Sequence, residues 1–222
     1  MAQNSAVTDA VVIVSAARTP MGGMMGSLSE VRAPDLCAVA IKSALERGGV
    51  TAQDVDEVVM GCVLPAGLGQ APARQAARKA GIPDAAGATT VNKMCGSGLK
   101  SVIYAHDQIK AGTNELVAAG GMESMTNAPY LSPKMRAGAR VGHQQMYDHM
   151  FLDGLEDAYE PGRLMGTYAE DTAELFQFTR EQQDEYAIGS LNNALNAQKE
   201  NAFEKEISPV TIKTRKSEIT IK

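Results

Sequence analysis

From Val11 to Met125 short continuous apolar runs alternate with segments whose apolar residues recur every three or four positions. Val11–Ala16 predicts a buried strand. Pro34 at the first helical position opens a helix over Asp35–Arg47, which Gly48-Gly49 closes. Glu57–Leu64 predicts a second strand, and Ala71–Ala80 a short helix ended by Gly81 and Pro83. Thr89–Met94 predicts a third strand. A helix over Ser97–Ala111 follows, with Leu99, Val102, Ile103, His106 and Ile109 along its inward face, and then a fourth strand, Leu116–Ala119. This β-α-β-α-β-α-β order implies an α/β fold, a mainly parallel sheet covered by helices.

The pattern changes after Asn127. Residues 128–164 are rich in Met, Gly, Pro and charge, have weak periodicity, and predict a long excursion with short helices. Helices are expected over Thr167–Gln177 and Arg180–Asn201, the second opened by a Thr179/Gln182 capping box. Ile207–Lys213 and Glu218–Lys222 predict a hairpin, after which the sequence stops as if cut within a larger fold.

Composition narrows the function classes. A net charge of −5 and a pI near 5.3 give no general attraction for nucleic acid or an anionic membrane. Three isolated cysteines in 222 residues fit neither a disulfide framework nor a zinc site, so no metal is expected and a reducing compartment is the default. Residues 1–10 lack a basic and an apolar leader region, and no apolar run approaches membrane-spanning length. The expectation is a soluble, cytoplasmic protein.

The chemistry concentrates in Val91-Asn92-Lys93-Met94-Cys95-Gly96-Ser97-Gly98-Leu99-Lys100-Ser101. A strand stops at a cysteine ringed by small residues and a helix begins directly after it. Unpaired backbone N–H groups and the positive end of a helix dipole converge there and stabilise a thiolate. Gly96 and Gly98 leave room for a bulky thioester to approach the sulfur. Thiolate attack on a thioester makes a new thioester at little change in free energy. The Cys95 backbone N–H, at the helix start, is a candidate oxyanion donor. Carbon–carbon bond formation would further need a base, and none is recognisable nearby.

This run resembles the acyl-enzyme cysteine motif of the thiolases, the acetyl-CoA acetyltransferases and 3-ketoacyl-CoA thiolases. Val12-Ile13-Val14-Ser15-Ala16-Ala17-Arg18-Thr19-Pro20 resembles the family's first strand and turn, and Gly120-Gly121-Met122-Glu123-Ser124-Met125-Thr126-Asn127-Ala128-Pro129-Tyr130 the close of its first half. Met165-Gly166-Thr167-Tyr168-Ala169-Glu170 and Thr179-Arg180-Glu181-Gln182-Gln183-Asp184 resemble its substrate-covering loop domain. The resemblance implies a thiolase-like fold, layered αβαβα in the complete enzyme. It also implies an N-terminal α/β domain over residues 1–126 and a loop domain over 127–222, incomplete at its C-terminal end.

The implied activity is thiolysis of a 3-ketoacyl-CoA, or the reverse condensation of two acyl-CoA molecules, through an acyl thioester on Cys95. Acyl-CoA and coenzyme A are the implied substrates, with no separate cofactor, in fatty acid metabolism. By the same resemblance Met165 lines the acyl pocket and Leu155 contacts pantetheine. Leu164 stands where short-chain biosynthetic members carry His, which removes one hydrogen-bonding group and leaves acyl chain length open. The family's base and second cysteine lie in its C-terminal half, an implied partner segment. The 128–150 excursion implies a homo-oligomer, a tetramer.

Two alternatives stand beside this reading: a ketoacyl-synthase-like condensing enzyme, and a non-catalytic acyl-CoA-binding or assembly subunit. The remaining candidates read as structural. His106 is expected to be a packed or capping residue, and His143 and His149 solvated or subunit-contact residues rather than metal ligands beside Asp148. Cys37 and Cys62 are expected in the core, and Arg18 in an ion pair at a subunit interface.

Overall fold

The computed structural model describes residues 10–213 and 217–222; the reading of residues 1–9 as free of a leader lies outside them. Two compact units emerge. The first comprises residues 10–17, Ala33–Cys62 and Gln70–Met122, and the second Arg18–Arg32, Val63–Gly69 and Glu123–Lys222.

In the first unit, α1 (Ala33–Gly48), β1 (Glu57–Gly61), α2 (Pro72–Lys79), β2 (Gly87–Val91), α3 (Ser97–Lys110) and β3 (Val117–Gly121) alternate. The strands form a parallel sheet in the order β2-β1-β3, with Val59 of β1 opposite both Thr89 and Ala119. Val58, Val59 and Met60 are all buried, because helices cover both faces of a central parallel strand. Pro72 opens α2, where its missing N–H costs nothing. The Asp56 carboxylate accepts the Glu115 and Leu116 N–H groups (2.7 and 2.9 Å), which ties the start of β1 to that of β3 and holds the carboxyl below its ordinary pKa. The α/β class with a parallel sheet is as expected.

Not every expectation holds. Val11–Ala16 forms no strand among the described residues, and Ile13 is 81 % exposed. Its apolar run signals a strand, yet periodicity says nothing of which edge such a strand joins. Helix α3 is turned the other way round. Its buried residues are Ser97, Ser101 and Ala105, while Leu99 is 69 % exposed and Val102 and Ile103 are also exposed. The reason is backbone proximity. A Cβ on Gly61 would lie 2.5 Å from the Ser97 carbonyl carbon and 2.7 Å from the Gly98 nitrogen, and one on Gly121 would lie 3.2 Å from the Gly98 Cα. Only small residues on both sides allow that approach. The Ser101 hydroxyl lies 2.6 Å from the Gly98 carbonyl oxygen and 2.7 Å from that of Gly120, so its proton serves either. The third strand also ends earlier than predicted, at Val91, because the chain turns at Asn92–Met94.

In the second unit the excursion holds a two-residue antiparallel pair, β4 (Tyr130–Leu131) with β5 (Tyr147–Asp148), a 3₁₀ turn at Met135–Ala137 and a π-helical turn at Phe151–Leu155. Helices α4 (Met165–Leu175) and α5 (Arg180–Lys199) follow. The Thr179 hydroxyl accepts the Gln182 N–H, and the Gln182 side chain accepts the Thr179 N–H in return, completing the expected capping box. Strands β6 (Val210–Lys213) and β7 (Glu218–Ile221) form the expected antiparallel hairpin. Arg18 pairs with Glu206 of the same chain (3.0 Å) and lies over the Phe203 ring.

The close approach at Gly61 yields a test. Gly61→Ala should destabilise the chain by about 1–3 kcal/mol or more, since the clash is with backbone that cannot rotate away. Urea unfolding measures it; an unchanged midpoint would rule out the contact as described.

Candidate active site

Cys95 lies in the five-residue connection, residues 92–96, between β2 and α3, and it is exposed. The turn is built locally. Asn92 Oδ1 accepts the Met94 N–H (2.9 Å), an Asx turn that diverts the chain from the strand direction. Met94 then takes a φ of +50°, a left-handed conformation that an unbranched, non-glycine residue adopts at some cost. Ser97 staples the result: its Oγ accepts the Lys93 N–H (2.8 Å) and donates to the Met94 carbonyl (2.6 Å), while the Gly96 N–H donates to the Lys93 carbonyl (3.2 Å). Cys95 therefore projects from a turn whose neighbours on both sides are pinned.

The helix beyond supplies the electrostatics. Gly96 caps α3 without a side chain, and the first bond of the helical ladder is Lys100 N–H to the Gly96 carbonyl (2.9 Å). The Gly98 and Leu99 amides precede that bond and are open donors at the positive end of the helix dipole. An exposed sulfur next to such donors is suited to carry an anion or to make one in an adjacent acyl group.

The other two cysteines differ. Cys37 and Cys62 are buried as expected, and burial, helped by proximity to Cys62, pushes the Cys37 thiol up to about 12. At neutral pH it stays protonated and inert. His106 is exposed on α3 and lies 3.1 Å from Asp107 Oδ1. His143 is exposed. His149 departs from the solvated reading: it is 4 % exposed, because β5 carries it inward against the 63–66 segment of its own unit. Among the described residues no three His, Cys, Asp or Glu side chains converge as a metal site would require.

The candidate substrate contacts all fall in the second unit. An antiparallel bridge between Glu156 and Leu164 closes the loop between them, backed by the Asp157 N–H donating to the Arg163 carbonyl (2.8 Å). Leu155 and Met165 thus flank the two ends of one short link, with Leu164 inside it. Leu155 and Leu164 are half-buried, and Met165 begins α4 and is 44 % exposed. Arg163 braces the link, stacked on Tyr168 and paired with Glu160 (2.8 Å) and Asp171. Sequence reading missed the Ser97 staple, the left-handed Met94 and the burial of His149. Asn92 two residues before Met94 was the available signal for the turn; nothing local signals the other two.

Ser97→Ala should remove the acceptor of the Lys93 amide and cost about 1–3 kcal/mol. It should also slow alkylation of Cys95 by iodoacetamide several-fold, since the sulfur no longer projects from a fixed turn. Alkylation at the parent rate in a folded variant would show that the staple does not hold the cysteine.

The family model described as "Thiolase, N-terminal domain" matches residues 11–222. The chain is 53 % identical over 208 residues to an acetyl-CoA acetyltransferase of Cupriavidus necator, covering 94 % of this chain and 53 % of that protein. It is 52 % identical to acetyl-CoA acetyltransferase 2 of Arabidopsis thaliana (91 % of this chain, 50 % of that protein) and 52 % identical to an acetyl-CoA acetyltransferase of Candida albicans, with the same coverage. The chain spans about half the length of the curated relatives it matches. A match that runs from the first apolar segment to the last hairpin, through the cysteine turn, leaves one conclusion: this chain belongs to the thiolase family.

Proposed function

We propose that this chain carries the acyl-accepting part of a thiolase-type acyltransferase, with Cys95 as the nucleophile. The single observation that carries the reading is an exposed cysteine on a pinned turn at the open N-terminus of α3. In the first half-reaction the Cys95 sulfur attacks the carbonyl carbon of an acyl-CoA thioester. The carbon–sulfur bond to coenzyme A breaks, and the thiol proton ends on the departing CoA sulfur. Amides at the helix start face the oxyanion that forms in between. In the second half-reaction the deprotonated α-carbon of another acyl-CoA attacks the acyl-cysteine and expels the Cys95 sulfur. In thiolysis the Cys95 sulfur attacks the 3-keto carbonyl, the carbon–carbon bond breaks to release the shorter acyl-CoA once its α-carbon is protonated, and coenzyme A then takes the acyl group from Cys95.

The deprotonation needs a base, worth about a hundredfold or more. We assign it, with the second cysteine, to the half of the family's length that this chain does not span. That half also covers the exposed apolar residues of α3 and of the 11–16 segment, since contiguous apolar surface marks an interaction site. The reading takes residues 1–126 as the nucleophile domain and 127–222 as the loop domain, with Leu155 toward pantetheine and Leu164 and Met165 toward the acyl group. Location is cytoplasmic and the role is in fatty acid metabolism. No helix among the described residues is long and apolar enough to cross a membrane.

Incubating the chain with acetyl-CoA should place one acetyl group on the Cys95 peptide, read by mass spectrometry, and none in Cys95→Ala. Thiolysis of acetoacetyl-CoA should be absent from the 1–222 chain and appear when the remaining half is supplied. Labelling that persists in Cys95→Ala would reject the nucleophile. Tight acyl-CoA binding with no adduct would favour the non-catalytic reading.

The assembled enzyme is a tetramer joined through residues 128–150, where exposed Met135 and Met146 lie among Lys134, Arg136 and Arg140. Met135→Glu combined with Met146→Glu should convert tetramers to dimers in light scattering. Tetramers unaffected by both changes would exclude this surface.

A further inference from the structure

His149 is the one buried histidine among the described residues, and both of its ring nitrogens are engaged. The Ala66 N–H donates to Nε2 (3.3 Å), which must therefore carry a lone pair. The ring proton is then on Nδ1, where it donates to Asp153 Oδ2 at 2.6 Å. The two partners belong to different segments of the second unit. Ala66 is in the connection Val63–Gly69, and Asp153 is in the π-helical turn Phe151–Leu155.

Neither segment has a regular ladder to hold it, so side chains do the work. Glu123 accepts the Val63 and Leu64 N–H groups at 2.8 and 3.0 Å. Arg32 donates to the Leu68 carbonyl. A Cβ on Gly154 would lie 3.3 Å from Leu64 Cδ2, so the backbone of the turn packs closely on the Leu64 side chain of the connection. The His149 backbone is itself held, its N–H donating to the Pro129 carbonyl (3.1 Å).

We propose that His149, its tautomer set by Asp153, is a positioning residue that fixes the turn ending at Leu155 against the 63–69 connection, and so sets the wall along which the acyl-CoA chain lies. The last clause rests on the function proposed above; the clamp itself does not. The imidazole acts as a spacer of fixed length, with an acceptor at one end and a donor at the other. Asparagine reaches only as far as Nδ1 and keeps the Asp153 end. Glutamine reaches as far as Nε2 and restores the acceptor for Ala66.

The test uses the 1–222 chain. Its ring nitrogen spectrum should show His149 as the neutral Nδ1–H tautomer. In His149→Asn the Ala66 amide should exchange with solvent at least tenfold faster, while the Val63 and Leu64 amides, held by Glu123, keep their protection. His149→Gln should return Ala66 to near the parental rate. For loading of Cys95 by acetyl-CoA, His149→Asn should raise the half-saturating concentration several-fold with the maximal rate unchanged, and His149→Gln should rescue it. A protonated Nε2 in the parent chain, or an Ala66 amide equally protected in a folded His149→Asn variant, overturns the clamp. Should His149→Asn unfold, the parental ring spectrum and the glutamine variant decide. A confirmed clamp with unchanged half-saturation overturns its role at the substrate wall. No loading of Cys95 in the parent chain would instead reject the acyl-transfer reading and leave the amide-exchange result standing.

Discussion

The backbone of α3 rests directly on the backbone of the sheet, and the cysteine turn depends on that contact. Gly61 on β1, Gly98 on α3 and Gly121 on β3 leave no side chain at the meeting point. The helix therefore begins hard against the carboxyl ends of two parallel strands, and the four residues between Val91 and Gly96 must turn sharply to reach it. The left-handed Met94 and the Ser97 staple are consequences of that short path. Ligands of parallel α/β sheets bind at the strands' carboxyl ends. Here the same geometry leaves Cys95 outside the core while its neighbours are held within hydrogen-bonding distance of one another.

The contact also decides which way α3 faces. A helix that presents Ser97, Ser101 and Ala105 to the sheet must turn Leu99, Val102 and Ile103 away from it. Burial of those side chains is worth about 1.5–3 kcal/mol each when complete. Left open to water they are a standing incentive for association. The 11–16 segment adds Val12, Ile13 and Val14 to the exposed apolar surface. For a thiolase-family chain spanning about half the length of its relatives, the remaining half is the proposed cover.

The second unit is organised by a different force. Its connections between short elements are fixed by charged or polar side chains that accept backbone N–H groups: Glu123 for Val63 and Leu64, His149 for Ala66, Asp157 for Tyr159 and Glu160. The two amides held by Asp157 keep its carboxyl below the ordinary range. Buried or half-buried amides without a ladder must find acceptors somewhere, and side chains provide them. That economy of regular structure leaves Leu155, Leu164 and Met165 on a loop whose shape rests on a few polar bonds.

The order of elements after the first apolar run, the parallel sheet, the cysteine at a strand–helix junction and the Thr179 capping box were legible along the chain because each is written in contiguous residues. Periodicity identifies a helix, Gly81 and Pro83 mark where the second one ends, and a Cys-Gly-Ser-Gly run after a strand places a thiol at a helix start. Orientation was not legible. The face of α3 that meets the sheet is chosen by Gly61, 37 positions before Gly98, and Gly121, 23 after it, and a hydrophobicity pattern alone favours the opposite face. The burial of His149 and its bond to Ala66, 83 positions away, likewise depend on segments far apart in sequence. Local sequence determined what each segment is. Only tertiary structure decided which side of each segment meets water, since that choice belongs to the partner surface and not to the segment.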